Sequence, residues 1–108
     1  MSQITVTDHP ATIMLQQLGG NRFIAMTGAK DFVSGDKPHP MLRFRIPKRL
    51  TKNKATHFRV TLMPSDTYKL ETLRYWNGVE KVLEMESGIY CDMLQARFTA
   101  MTGLDTRL

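Results

Sequence analysis

The densest positive charge in the chain lies in residues 41–60, MLRFRIPKRLTKNKATHFRV. This segment has no Asp or Glu, and its seven cations are Arg43, Arg45, Lys48, Arg49, Lys52, Lys54 and Arg59. Because the net charge of the whole chain is only +5, the remaining residues are net negative. Such a surface can follow a phosphate backbone, so these cations and His57 are the candidate nucleic-acid contacts. The alternative is a solvated hairpin with cross-strand ion pairs.

Binding of single-stranded nucleic acid also uses exposed aromatic rings on which bases stack. Besides His57, the candidate rings are Tyr75, on the outer face of a predicted strand, and Trp76, beside a predicted turn. Exposed aromatic residues are also typical anchors in protein–protein contacts, so Tyr75 and Trp76 are candidate contacts for a partner protein. The alternative for Trp76 is packing on its own hairpin.

The other reactive side chains do not predict catalysis. The three histidines and the single cysteine, Cys91, lack the spacing of a zinc site, and Cys91 on the flank of a helix predicts a buried thiol. Glu71, Glu84 and Glu86 are more typical of a charged strand edge than of an acid/base pair. LGGN and TGAK match neither phosphate-loop pattern. We therefore expect no enzyme activity, no metal ion and no cofactor.

The length of 108 residues predicts a single domain spanning residues 1–108. No apolar run approaches the length of a membrane span, and MSQITVTDHP does not resemble a secretory signal. One cysteine cannot form an internal disulfide, which fits a reducing compartment. The expected location is the cytoplasm.

The first 40 residues predict a helix, a strand and a loop. DHPATIMLQQL, residues 8–18, reads as a helix that Asp8 or His9 caps and Gly19 ends. The apolar run in NRFIAMTGA, residues 21–29, predicts a buried strand. Residues 30–40, with glycine, two prolines and mixed charge, predict an exposed and mobile loop.

The cation-rich segment itself predicts two strands joined by a basic connection at 47–56. Apolar and polar residues alternate on both sides of this connection, which places an apolar face inward and a basic face outward. The inward residues are Leu42, Phe44, Ile46, Phe58, Val60 and Leu62.

Asn77-Gly78 predicts a two-residue hairpin turn, which fixes the register of the last two strands. The pairs expected are Trp76 with Val79, Leu73 with Val82, Thr72 with Leu83, and Leu70 with Met85. Of these strands, Tyr68, Leu70, Leu83 and Met85 belong to the predicted core, and Glu71, Leu73 and Glu84 to the outer face. A three-residue loop at PSD would place Arg59 opposite Glu71 and partly neutralise it.

Residues 88–102 predict an amphipathic helix ended by Gly103, with Tyr90, Leu94, Phe98 and Met101 on its apolar stripe. The expected fold is therefore α+β: an antiparallel sheet of about four strands with N-terminal and C-terminal helices packed on one face. The open face is available to a partner, including a second copy of the chain.

LQQLGGNRFIAMTGAK, residues 15–30, resembles the N-terminal signature of a family of small phage- and plasmid-encoded proteins without an assigned activity. The likeness continues through LRFRIPKR, RVTLMPSDTY and DMLQARFTAMTGL. It implies a mobile-element protein that works inside a bacterial host, and it transfers no functional residue. The element order is also similar to single-stranded-DNA-binding coactivator domains, in topology alone.

We therefore predict a small nucleic-acid-binding protein of a mobile element, which contacts the phosphate backbone through its basic hairpin. The alternative is a mobile-element protein that binds and inhibits or redirects a host protein, such as a component of a defence system. A face divided into basic and acidic halves suits a charged protein partner.

Overall fold

The computed structural model describes residues 10–36 and 38–104. They form helices α1 (Pro10–Leu18), α2 (Gly20–Thr27) and α3 (Leu94–Thr102), and strands β1 (Lys30–Gly35), β2 (Met41–Arg45), β3 (His57–Leu62), β4 (Tyr68–Trp76) and β5 (Val79–Ile89). The strands make one antiparallel sheet in the order β1-β2-β3-β4-β5. The α+β prediction is confirmed, with one more strand and one more helix than expected. No helix in the described part of the chain is long and apolar enough to span a membrane.

The core contains four mutually packed phenylalanines, contributed by both helices and strands. Phe98 of α3 lies against Phe58 of β3 and Phe23 of α2, with ring centroids 4.8 and 5.1 Å apart. Phe44 of β2 packs edge-on against Phe23 at 5.5 Å. All four rings are fully buried, so the predicted inward positions on β2 and β3 are confirmed for Phe44 and Phe58. Helix α1 adds Met14 and Leu18 to the same cluster.

The predicted strand at residues 21–29 is wrong, because most of this segment forms helix α2. Phe23 and Thr27, four residues apart, are its buried positions and lie on one face of the helix. The helix ends at Gly28, whose φ of 75° permits the left-handed cap and whose N–H donates to the Ile24 carbonyl. A short apolar run can fill a strand or one side of a helix, and here packing against the phenylalanine cluster favours the helix.

The predicted loop at residues 30–40 is wrong for its first half, which forms the edge strand β1. The strand pairs with β2, with Val33 opposite Arg43 and Gly35 opposite Met41. Phe32 packs against the core cluster, while most other positions of β1 are exposed. Because one inward apolar residue makes a weak alternation, the sequence did not predict this strand. The helix start expected at residues 8 and 9 lies outside the described residues.

The β4–β5 hairpin follows the predicted register near its turn and departs from it further away. Asn77 and Gly78 both have positive φ, and Trp76 pairs with Val79 and Leu73 with Val82, as predicted. The register then shifts, because Thr72 pairs with Glu84 and leaves Leu83 as an extra residue in β5.

This shift changes which side chains of the hairpin are buried. Leu70 is buried and Glu84 is exposed, as predicted. Met85, however, is 55% exposed, so its assignment to the core is wrong. Glu71 lies on the outer face, opposite Arg59, as predicted, but it is only 6% exposed there. Leu73, predicted on the outer face, is buried there and pairs with His57.

The C-terminal helix is shorter than predicted. Strand β5 extends to Ile89, a 3₁₀ turn covers Cys91–Met93, and α3 begins at Leu94. Leu94, Phe98 and Met101 are buried as expected, and Gly103 caps the helix with a φ of 82°. Tyr90 and Cys91, which were expected on the helix, precede it and are exposed.

Candidate nucleic-acid interface

The three arginines of the basic strands, hereafter the strand arginines, are Arg43, Arg45 and Arg59, and each forms an ion pair. Arg43 Nη2 lies 2.7 Å from Glu80 Oε1. Arg59 Nε donates to Glu71 Oε1 at 2.8 Å, and its Nη1 lies 3.3 Å from Glu80 Oε2. Arg45 Nη1 is 3.6 Å from Asp31 Oδ2. Much of the charge on the outer face of β2 and β3 is therefore neutralised within the protein.

The sheet register explains these pairs. Arg59 lies directly opposite Glu71 on β4, as the sequence predicted. The hydrogen bond from Arg59 to the nearly buried Glu71 is the main reason that the pKa of this arginine is raised. Glu80 belongs to β5 but reaches Arg43 on β2, so the tip of the β4–β5 hairpin curls over the outer face of the sheet.

The cations of the connection between β2 and β3, hereafter the connection cations, are Lys48, Arg49, Lys52 and Lys54. All four side chains line one cleft of about 790 Å³ together with Pro47, Thr51 and Arg74 of β4. We call this the cationic cleft. Among the described residues no Asp or Glu lines it. Within the same residues, Lys48, Arg49, Lys54 and Arg74 have no acidic partner.

The connection is held in a defined conformation by its own hydrogen bonds. The Ile46 N–H donates to the Thr56 carbonyl at 2.9 Å and closes the base of the connection. The buried Thr51 hydroxyl lies 2.9 and 3.1 Å from the carbonyl oxygens of Lys48 and Ala55, and its single proton is shared between these two acceptors.

Contacts with α3 and β4 fix the connection to the rest of the fold. The Lys52 N–H donates to the Thr102 carbonyl at 2.9 Å, and the Lys52 ammonium donates to the Ala100 carbonyl. The Asn53 amide donates to Thr72 Oγ1 at 3.2 Å. The cationic cleft is thus a structured surface, in which Lys52 also binds the last turn of α3.

A second cleft, of about 380 Å³, adjoins the first and shares Pro47 and Lys48 with it. We call this the aromatic cleft. The residues that line it include Lys30, Arg45, Thr56, His57 and Tyr75. It therefore combines further cations with two aromatic rings.

The two rings of the aromatic cleft contact each other and are anchored by Thr56. The His57 and Tyr75 ring centroids are 6.1 Å apart in an edge-to-face arrangement. Thr56 Oγ1 lies 2.8 Å from His57 Nδ1 and accepts a hydrogen bond from the Tyr75 N–H, also 2.8 Å long. Burial, followed by the charges of Arg43 and Arg45, lowers the pKa of His57, so its ring is neutral near pH 7.

The structure places the sequence-predicted residues in two separate groups. The connection cations meet in the cationic cleft, whereas Arg45, His57 and Tyr75 meet in the aromatic cleft. Arg43 and Arg59 are engaged by Glu80 and line neither cleft. Trp76 is 66% exposed at the hairpin tip and lines neither cleft.

Sequence reasoning missed Arg74 and Lys30. Arg74 follows Leu73, which pairs with His57, so β4 runs beside the end of the basic connection. Arg74 could therefore have been placed beside the connection cations from the β3–β4 register. Lys30 could not be placed near the site because the sequence of residues 30–35 did not predict a strand.

The glutamates weighed as a carboxylate cluster do not form one. Glu71 bonds to Arg59, and Glu86 accepts two hydrogen bonds from Arg97 of α3, at 2.8 and 2.7 Å. The bonds from Arg97 lower the pKa of Glu86. In the described ranges no three His, Cys, Asp or Glu side chains are placed to hold a metal ion.

No protein-family model matches the chain, and neither a curated protein nor a solved structure matches it.

Proposed function

We propose that this protein binds nucleic acid and that the cationic cleft is where it contacts the phosphate backbone. The observation that carries this proposal is the gathering of five cations around one cleft with no carboxylate in its lining. Closely spaced like charges repel one another, and a polyanion relieves that repulsion while it releases its own counterions. The resemblance of the sequence to mobile-element proteins supports a role inside a bacterial host.

The mode of binding follows from the side chains of the cleft. Lysines and arginines that reach phosphate oxygens position a strand without reading its sequence. Lys52 donates to the Ala100 carbonyl, whereas Lys48, Arg49 and Lys54 have no acidic partner among the described residues, and these three supply most of the contacts. Arg74 adds a planar guanidinium from the rigid end of β4, which can bind phosphate through two hydrogen bonds.

A second candidate function is binding to a host protein, and a separate surface favours it. The β4–β5 hairpin exposes Trp76 and Val79 on one face and Val82 and Met85 on the other, and these side chains are 44–66% exposed. Exposed apolar side chains of this kind are typical of protein-binding surfaces. None of the four lines either cleft, so the two functions make separate predictions.

The test of the proposal is a fluorescence-anisotropy titration with a labelled single-stranded oligonucleotide between about 50 and 200 mM salt. With about five phosphate contacts on a single strand, the slope of log K against log salt is expected to be about −3.5. Changing Lys48, Arg49 and Lys54 together to Gln should reduce this slope by about 2. Lys52 is left unchanged because it also anchors α3.

The matched control changes Arg22, Lys69 and Lys81 to Gln. It removes the same charge through the same residue types, from positions outside both clefts. The control should keep the slope of the wild type. Absence of binding by the wild type at low salt, or equal losses in the two triple variants, would reject the cationic cleft and leave the host-protein candidate.

A further inference from the structure

The two clefts form one path along the protein surface. They meet at Pro47 and Lys48, with Arg74 and Lys54 in the cationic cleft and Lys30 in the aromatic cleft. A phosphate backbone that occupies the cationic cleft can therefore continue over Lys48 into the aromatic cleft. At that point it meets aromatic side chains as well as charge.

Tyr75 is placed to present its ring to a nucleic-acid strand that follows this path. Tyr75 is 47% exposed, whereas its backbone N–H is held by Thr56 Oγ1 at 2.8 Å. His57 supports the ring edge-to-face at 6.1 Å. A ring that is fixed by its neighbours and still exposed loses little conformational entropy when a base stacks on it.

His57 is suited to this supporting role. Burial and the nearby Arg43 and Arg45 disfavour its proton, so a neutral ring lies beside Tyr75 near neutral pH. Lys30 and Arg45 line the same cleft and can contact the phosphates that flank a stacked base.

We infer that the ligand is single-stranded nucleic acid, with its backbone in the cationic cleft and one base stacked on Tyr75 in the aromatic cleft. This inference rests on the proposed function and specifies its substrate class. Bases in a duplex already stack on one another and must be unstacked, at a cost in free energy, before a face is free for Tyr75. A single strand offers that face without this cost.

The experiment measures anisotropy with a single-stranded oligonucleotide, with the duplex of the same sequence, and with an abasic single strand. Tyr75→Ala should weaken single-strand binding about 5- to 150-fold, the loss expected for one stacked base. It should leave duplex and abasic-strand binding within about twofold, and leave the salt slope unchanged, because no phosphate contact is lost. Tyr75→Phe, which keeps the ring, should bind like the wild type.

Tyr90→Ala is the matched control, since Tyr90 is an exposed tyrosine that lines neither cleft, and it should bind like the wild type. Equal losses for single strand and duplex on Tyr75→Ala, no loss for either, or tighter wild-type binding to the duplex would overturn the single-strand inference. In each of these outcomes the slope difference between the two triple variants still tests the cationic cleft separately. If the wild type binds none of the three oligonucleotides, the proposed function itself fails.

Discussion

The strand arginines and the connection cations are neighbours in the sequence but differ in what surrounds them. Arg43 and Arg59 each lie within hydrogen-bonding distance of a glutamate, and Arg45 lies 3.6 Å from an aspartate. Lys48, Arg49 and Lys54 have no acidic partner among the described residues and share a cleft. Of seven cations that look alike in the sequence, three are thus neutralised, three are available, and Lys52 is held by the last turn of α3.

The difference arises from the sheet. An outward residue on an inner strand lies opposite a fixed cross-strand neighbour, and for Arg59 that neighbour is Glu71. The connection leaves the sheet after β2 and packs on α3, so its side chains have no cross-strand partners. The cations without a cross-strand partner are therefore those where the chain leaves the sheet, and the proposed function uses these.

The largest expected effect comes from truncating a side chain of the hydrophobic core that lies beneath both regions. Phe98 is fully buried against Phe23 and Phe58, and its helix accepts the hydrogen bonds from Lys52. Phe98→Ala should lower the free energy of unfolding by about 3–5 kcal/mol in urea unfolding experiments. Trp76→Ala, at an exposed ring, should stay within about 0.5 kcal/mol of the wild type. Similar losses in the two variants would contradict the core assignment.

A smaller effect is expected when the strand arginines lose a carboxylate that neutralises them. Glu80 binds both Arg43 and Arg59, so Glu80→Gln removes the acidic partner of Arg43 and one of the two acidic partners of Arg59. A partly exposed ion pair contributes up to about 1 kcal/mol, so binding to a single strand at low salt should tighten about two- to fivefold.

Glu84→Gln makes the same change of charge on the same strand, at an exposed residue without an ion pair among the described residues. It should tighten binding less than Glu80→Gln, and anisotropy titrations of the two variants make the comparison. Equal gains would mean that net charge, and not the release of arginines, determines affinity.

The smallest expected effect is a pH dependence of stability, which arises because His57 is partly buried beside the strand arginines. Burial, then Arg43 and Arg45, lower the pKa of His57 from its ordinary value of 6.5, and Glu80 and Asp31 oppose this. The unfolded chain therefore binds this proton more readily than the folded protein. The free energy of unfolding should fall as the pH drops below about 6.5, because protons then favour the unfolded state.

His57→Gln removes this contribution and should flatten the decline. Urea unfolding of both proteins at about pH 7.5 and about pH 5.5 measures it, and the wild type should lose more stability than the variant over that interval. An identical loss in the two proteins would show that His57 titrates alike when folded and unfolded.

How far the sequence could predict these regions depends on whether a local or a distant contact decides the structure. The alternation around Phe44 and Phe58 and the Asn77-Gly78 turn are local signals, and both were correct. The extra residue at Leu83 carries no local signal, so the predicted register was wrong beyond it, and Met85 was assigned to the wrong environment.

The candidate site shows the same difference between features set by local sequence and features set by distant contacts. The connection cations could be found because they are contiguous, and the pairing of Arg59 with Glu71 followed from a three-residue loop. Arg74 enters the cleft only through the course of β4. The reach of Glu80 to Arg43 depends on the curl of the hairpin over the outer face. Neither could be predicted before the sheet was known.

The availability of one group of cations and the neutralisation of the other can be compared in a single sample. Arginine Nε–Hε groups give individual signals in ¹H–¹⁵N NMR spectra, and a titration with a single-stranded oligonucleotide at about 50 mM salt would follow them together. The signal of Arg74, and with it that of Arg49, should shift as the cationic cleft fills, while those of Arg43 and Arg59 stay in place. Shifts at Arg43 and Arg59 with none at Arg49 and Arg74 would contradict the account.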